Sequence, residues 1–303
     1  MRIYLLLLFN LSFICAARSQ SLVWKRDKLI LSAYADFKNE NLQWSIAGNS
    51  NGQNPNILSE VSWKNLKTRG AGLDIQANIW SGLSFKGKYQ HGYIYAGNAT
   101  DTDYAQDNKT NPTYHASLNS NQGDINSYFA GLSYLLIIYH RLSFSPYAGY
   151  TKNKQSLLLK SNDNSSQINE KKLNSTYTTN WTGTEIGLDA DMAVNNWINF
   201  KVGLSYAQVR YAASADWNLI DAFAHPLSFS HRANGYQTNL NLQTAFQVLP
   251  QFSVFIRGNY LHRETGTGTD QLFLADGQNV ISQFNGAKGN SKGIGLGICY
   301  KLK

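Results

Sequence analysis

From Leu29 to Leu302 the chain falls into ten segments in which apolar residues alternate with small or polar ones at a period of two. They run at about 29–47, 57–79, 83–99, 124–138, 141–160, 174–192, 197–216, 230–248, 252–274 and 287–302. Globular strands are typically roughly 5–6 residues long, and these are far longer. The last segment is the clearest: Ile294, Leu296, Ile298, Tyr300 and Leu302 take one face, Gly293, Gly295, Gly297 and Cys299 the other. The same pattern runs through Ile198, Phe200, Val202, Leu204 and Tyr206, and through Phe252, Val254 and Ile256. A wall with lipid outside and a lumen inside needs this arrangement.

The connections sort by length. Ser81-Gly82, His140-Arg141, Ala193 to Asn196 and Leu249-Pro250-Gln251 read as tight turns. Stretches 48–56, 100–123, 161–173, 217–229 and 275–286 read as long loops rich in Asn, Gly, Ser and Asp. Alternating short and long connections predict an all-β fold, a ten-stranded antiparallel up-and-down transmembrane β-barrel. The expected orientation puts the long loops outside the cell and both termini in the periplasm. A soluble sandwich has shorter strands and does not sort its loops by length.

Composition agrees. Of the 303 residues 13% are aromatic and only 15% charged, and no stretch after the N-terminus has the ~18 apolar residues of a membrane helix. Residues 1–19 read as a secretory signal, with Arg2, an apolar run from Ile3 to Ile14, and small residues at Cys15-Ala16-Ala17 or Ala17-Arg18-Ser19. The expected mature chain is one barrel domain, 20–303, in the outer membrane of a Gram-negative-type envelope. Cleavage leaves Cys299 alone, which excludes a disulfide scaffold. The basic residues behind the formal charge of +8 are spread along the chain, which disfavours nucleic-acid binding.

Asp101 and Asp103, in Gly97-Asn-Ala-Thr-Asp101-Thr-Asp103-Tyr, are expected at the loop end just past the third strand. Asp216-Trp217-Asn218 follows the seventh strand, roughly across the ring. Paired carboxylates two apart project the same way, and crowding raises one pKa so that the pair can hold or activate water. Taken alone, a D-x-D at a loop start is more often a turn former. Asp101, Asp103 and Asp107 do not make a calcium loop: Ala105, Gln106 and Pro112 stand where an oxygen ligand, a glycine and a bidentate glutamate are needed.

The run Ser59-Glu-Val-Ser-Trp63-Lys, followed about forty residues on by Asp101-Thr-Asp103-Tyr, resembles the omptin family of outer-membrane endopeptidases. The opening Leu31-Ser-Ala-Tyr-Ala-Asp-Phe-Lys-Asn-Glu40 and the ten-strand plan agree. This resemblance implies a ten-stranded barrel whose catalytic water lies between an aspartate pair and a D-x-H dyad. The candidate catalytic residues are then Asp101, Asp103 and Asp216, with Asn218 where the dyad histidine belongs. An amide cannot take a proton from water, so a large part of a ~10²–10⁴-fold contribution is missing. His225 and His231 are replacement bases only if the 217–229 loop folds back, and both read as structural.

Asn56-Ile-Leu-Ser-Glu-Val-Ser-Trp63, Asp101 to Asp107 and His225-Pro-Leu-Ser-Phe-Ser-His231-Arg-Ala-Asn-Gly235 resemble the Protochlamydia outer membrane protein family. That second resemblance implies a porin-like surface barrel in which the D-x-D is structural. The preferred reading is therefore a non-proteolytic, porin-like surface protein, with an aspartate-based endopeptidase as the rival. Lys152, Lys154, Lys160, Lys171 and Lys172 are candidates for contact with lipopolysaccharide phosphates. No cofactor or metal is expected. Outer-membrane lipid and lipopolysaccharide, the barrel-assembly machinery, and small solutes or peptides are the expected partners. Small residues on the last strand's inner face favour open space in the lumen, whereas Tyr, Lys and Gln on other strands favour a plug, and the residues alone do not decide between the two.

Overall fold

A computed structural model describes residues 27–139, 141–162, 167–168 and 171–303. The expected signal segment and His140 lie outside the described residues. The strands are β1 (Leu29–Ile46), β2 (Ser59–Trp80), β3 (Leu83–Gln106), β4 (Thr110–Asn119), β5 (Gly123–Tyr134), β6 (Leu136–Tyr139) and β7 (Leu142–Lys160). There follow β8 (Gln167–Ile168), β9 (Lys171–Lys172), β10 (Asn174–Ala193), β11 (Ile198–Asp216), β12 (Phe229–Leu249), β13 (Phe252–Phe273) and β14 (Asn279–Leu302). Apart from the small β8–β9 hairpin they pair antiparallel in one sheet, which closes because β14 pairs β1 and β10 pairs β7.

Ten positions round the ring match the expected plan, but the fourth is shared by three shorter strands. β5 and β6 fill its turn end, and β4 stands on the loop end against β3, its ladder pairing with β7 limited to Asn119 and Lys160. Two expected loops are corrected. β3 runs on to Gln106 and forms a ribbon with β4, so most of 100–123 is ladder. β14 begins at Asn279, so the last long connection shrinks to a few residues. In both, Asn, Asp and Ser gave a loop-like composition, while Thr100, Thr102 and Tyr104, or Val280 and Ile281, supply strand-forming side chains.

Outward residues of the turn-end half are apolar all round: Phe37 on β1, Leu73 on β2, Ile186 on β10, Leu204 on β11, and Ile294, Leu296 and Ile298 on β14 are all exposed. Exposed Tyr89, Tyr128, Tyr150, Tyr206 and Tyr260 edge this band toward the loops, as an aromatic girdle does at a membrane surface.

The lumen is layered. Its loop-end half is packed solid. Trp63 and Trp44 stack on Tyr177 with centroids 5.1 and 5.6 Å apart, Trp181 lies 4.5 Å from Tyr211, and Tyr211 stacks on Phe284 at 5.6 Å. Leu42, Leu66, Leu157 and Leu159 close the gaps, all nearly fully buried. Beneath the plug lies a buried polar layer: Gln155 Nε2 donates to Glu40 Oε2 at 2.8 Å, and Arg263 Nη2 is 3.8 Å from the same oxygen with its guanidinium against Trp181. The turn-end half is an open polar chamber. Of the last strand's glycines expected to leave space, Gly297 instead seats a ring, since a Cβ there would collide with Phe255.

Candidate functional site

Asp101 and Asp103 sit within β3 at the loop end of the barrel, above the aromatic girdle. Asp101 faces Val61 on β2 and Ala116 on β4; Asp103 faces Ser59 and Tyr114. The register between β2 and β3 slips at Lys64 to Thr68, opposite Ile94 to Asn98. That bulge moves the buried phase from even positions such as Ile94 to Ala99 and Asp101. The ribbon's tip is tied down: Asn56 N donates to Asp107 Oδ1 at 2.7 Å, Asn108 N donates to Asn56 Oδ1 at 2.8 Å, and Lys109 pairs with Glu60 at 2.5 Å.

The pair behaves as crowded carboxyls should. Burial first, and the adjacent Asp103 carboxylate second, push Asp101 up to about 7. A hydrogen bond from the Trp217 side chain opposes the rise. Asp103 is also raised by burial, against a hydrogen bond from Ser59. Tyr114 is raised by burial and by both carboxylates.

A raised folded pKa makes the stability from Asp101 complete below the unfolded value of 3.8 and lost as pH climbs to about 7. Urea unfolding in lipid vesicles from pH 4 to 8 is therefore expected to fall in midpoint across that window, by on the order of 2–4 kcal/mol in stability. Asp101→Asn should flatten the profile, and an unchanged slope in that variant would remove the assignment.

On the seventh wall β11 buries Ala207, Val209, Tyr211, Ala213 and Ala215 and exposes Arg210, Ala212 and Ser214 between them. Trp217 continues the buried phase. It bonds to Asp101 and packs edge-on against Phe229 at 4.7 Å. Asp216 and Asn218 fall on the other phase. Asn218 Oδ1 accepts from Asn174 N at 2.9 Å and Ser175 Oγ at 3.2 Å, and its Nδ2 donates to Lys172 O at 2.9 Å. Asn218 thus fastens the connection before β10 to the end of β11. The structure joins Asp101 to Asp103, and Trp217 is the seventh-wall residue that reaches Asp101.

The 217–228 loop does fold back. Ser228 N donates to Ala215 O and Ala224 N to Phe273 O, each at 2.8 Å, and His225 Nδ1 comes 2.6 Å from Asp216 Oδ1. Both side chains are partly exposed, 35% and 27%. His225, read as a structural turn residue from the Pro226 that follows it, is therefore a carboxylate's partner. The other histidine is deep in the plug. His231 Nδ1 bonds to Tyr177 Oη at 2.8 Å, Tyr177 Oη to Tyr211 Oη at 2.6 Å, and His231 Nε2 lies 3.1 Å from Asp270. Ser282 Oγ donates to Asp270 at 3.0 Å. Burial lowers the His231 pKa against Asp270, so it packs as a neutral ring. This Tyr-Tyr-His-Asp chain was not read from the sequence; an inward-phase histidine between Phe229 and Ala233 was the available signal.

Lys152 and Lys154 alternate with buried Thr151 and Gln155 on β7, so they share the outer face with Tyr150, just past the aromatic girdle. Lys160 bonds to Gln122 at the rim and Lys172 is exposed; the Lys171 side chain lies outside the described residues.

A closed antiparallel ring, apolar outside and polar and aromatic within, is a β-barrel of the outer-membrane type. The chain belongs to the Protochlamydia outer membrane protein family, whose model matches residues 33–302. Its fold is similar to the outer membrane protease OmpT from Escherichia coli, with a TM-score of 0.70 at 12% identity over 93% of this chain and 99% of that one. The translocator domain of autotransporter NalP from Neisseria meningitidis gives a TM-score of 0.39 at 13% identity, over 93% and 91% of the two chains. OprG from Pseudomonas aeruginosa gives 0.32 at 12%, over 92% and 97%. No curated protein matches the sequence.

Proposed function

We propose that this chain is a non-proteolytic surface barrel, closed at rest, with its long-loop end outside the cell and its termini in the periplasm. The observation that carries the reading is Trp217. It occupies the inward position across from the aspartate pair and bonds to Asp101, where an aspartate-activated water would need a general base. The packed loop-end half of the lumen supports a barrel that does not conduct in this state. Sorting of short turns to one end and longer connections to the other supports the orientation.

An omptin-type endopeptidase is the second reading, favoured by the 2.6 Å contact between Asp216 and His225. Such a dyad polarises imidazole as a base, but its phase on β11 is opposite to that of Trp217.

Refolded barrel with lipopolysaccharide, presented with a mixed peptide library, is expected to cleave nothing. Asn218→His should be equally silent, because that side chain is committed to Asn174, Ser175 and Lys172. Cleavage by wild type that His225→Ala or Asp101→Ala reduced by about 10²-fold or more would establish the peptidase instead.

A further inference from the structure

The turn-end half of the lumen holds a chamber of about 340 Å³, within the range of small-ligand sites. The packed layer of Trp63, Trp181 and Tyr177 closes it above, so any solute enters from the turn end. Six carboxylates and six cations line it. With lipid around the wall, a guest bearing net charge pays a desolvation penalty that a dipolar guest offsets at both ends.

Most of these charges are already committed to one another. Arg257 donates to Asp74 at 2.6 Å, and Asp189 takes Lys86 at 2.6 Å and Lys201 at 3.0 Å. Among the described residues Asp27, Glu185 and Lys301 line the chamber without an ion pair, Glu185 accepting only from Tyr147 Oη at 3.3 Å; Lys88 and Asp191 are the two charges that flank the Lys86–Asp189 pair on its own strands. Among the described residues Lys88 makes no ion pair, its Nζ standing 5.6 and 5.7 Å from the ring centres of Tyr147 and Phe129. Asp191 is a quarter exposed and has only Lys201 at 3.7 Å.

The Lys86–Asp189 pair sets β3 and β10 at a common level. Lys88 lies two residues deeper on β3, and Asp191 two residues nearer the turn on β10. At about 3.3 Å per residue and a tilt of roughly 40°, the two sites are about 10 Å apart along the barrel axis. An extended peptide covers that distance in about three residues.

We propose that the chamber is a binding site for short zwitterionic peptides of two or three residues, with the carboxylate inward on Lys88 and the ammonium at the mouth on Asp191. Each end is a charge-assisted contact, the strong kind of hydrogen bond.

Calorimetric titration of the refolded full chain with triglycine tests it, beside N-acetyl-triglycine, which keeps only the carboxylate, and triglycine amide, which keeps only the ammonium. Triglycine is expected to bind with a Kd of about 1 mM or tighter, and each capped form about tenfold more weakly. Lys88→Met should weaken triglycine about tenfold while leaving the amide unchanged, and Asp191→Asn should spare the N-acetyl form. Lys88→Arg should restore binding, which separates loss of the charge from loss of the fold. Absence of saturable binding, equal affinity for all three ligands, or variants that weaken all three alike would overturn the proposal.

Discussion

A barrel carrying Trp63→Ala and Trp181→Ala is expected to pass current in a planar bilayer where the wild type stays at baseline. These are the two largest fully buried side chains of the plug. Trp63 stacks on Tyr177, and Trp181 packs tilted against Tyr211 while carrying the Arg263 guanidinium on its face. Truncating each costs about 3–5 kcal/mol when a rigid surround cannot collapse into the space. The surround here is a closed ladder, which fixes the wall and leaves the cavity open. Beneath the plug the buried Glu40–Gln155–Arg263 layer loses the Trp181 face that carries Arg263, and the polar chamber below it already communicates with the turn end, so loss of both indoles opens the two layers together. Resolved single-channel steps from the variant, with none from wild type, are the expected result. The heat-dependent gel shift of a folded barrel must be retained. Silence from a folded variant would mean that the Leu and Phe residues of the same layer close the lumen without the indoles, and current from wild type would refute the closed state.

Glu40→Ala should destabilise the barrel about as much as truncating either tryptophan of the plug. Glu40, Gln155 and Arg263 form a layer with at most 3% exposure, and Glu40 is the only carboxylate within ion-pair distance of Arg263 among the described residues. Removing it strands a buried guanidinium beside Trp181 and leaves Gln155 without its acceptor. Breaking a buried pair from one side costs about 3–5 kcal/mol, whereas replacing both partners by apolar groups is often neutral. Urea midpoints in lipid vesicles should therefore fall sharply for Glu40→Ala and recover in Glu40→Leu/Arg263→Met. A single variant that unfolded with the wild type would show that solvent reaches this layer.

The strand phase of the candidate residues is legible on β11 and not on β3. Val202, Leu204 and Tyr206 face lipid, so even positions on β11 point outward. Carrying that count forward puts Asp216 and Asn218 on the outer phase and Trp217 on the inner one, where it packs against the core. Asp101 differs, because the slip at Lys64 to Thr68 flips the phase of β3 before the aspartates, and nothing in the residues fixes where a bulge falls. His225 was out of reach for another reason: its contact with Asp216 depends on backbone bonds from the 217–228 loop to β11 and β13.

The sequence by itself determined the class. Ten long period-two segments with apolar outer faces have to close, because no open edge is tolerated in lipid. Only the tertiary structure decided whether the barrel is hollow and which carboxylate meets which wall. Lumen filling depends on the level at which ten inward faces meet, and that level is set by strand stagger, bulges and split strands, none of which leaves a periodic trace in the residues.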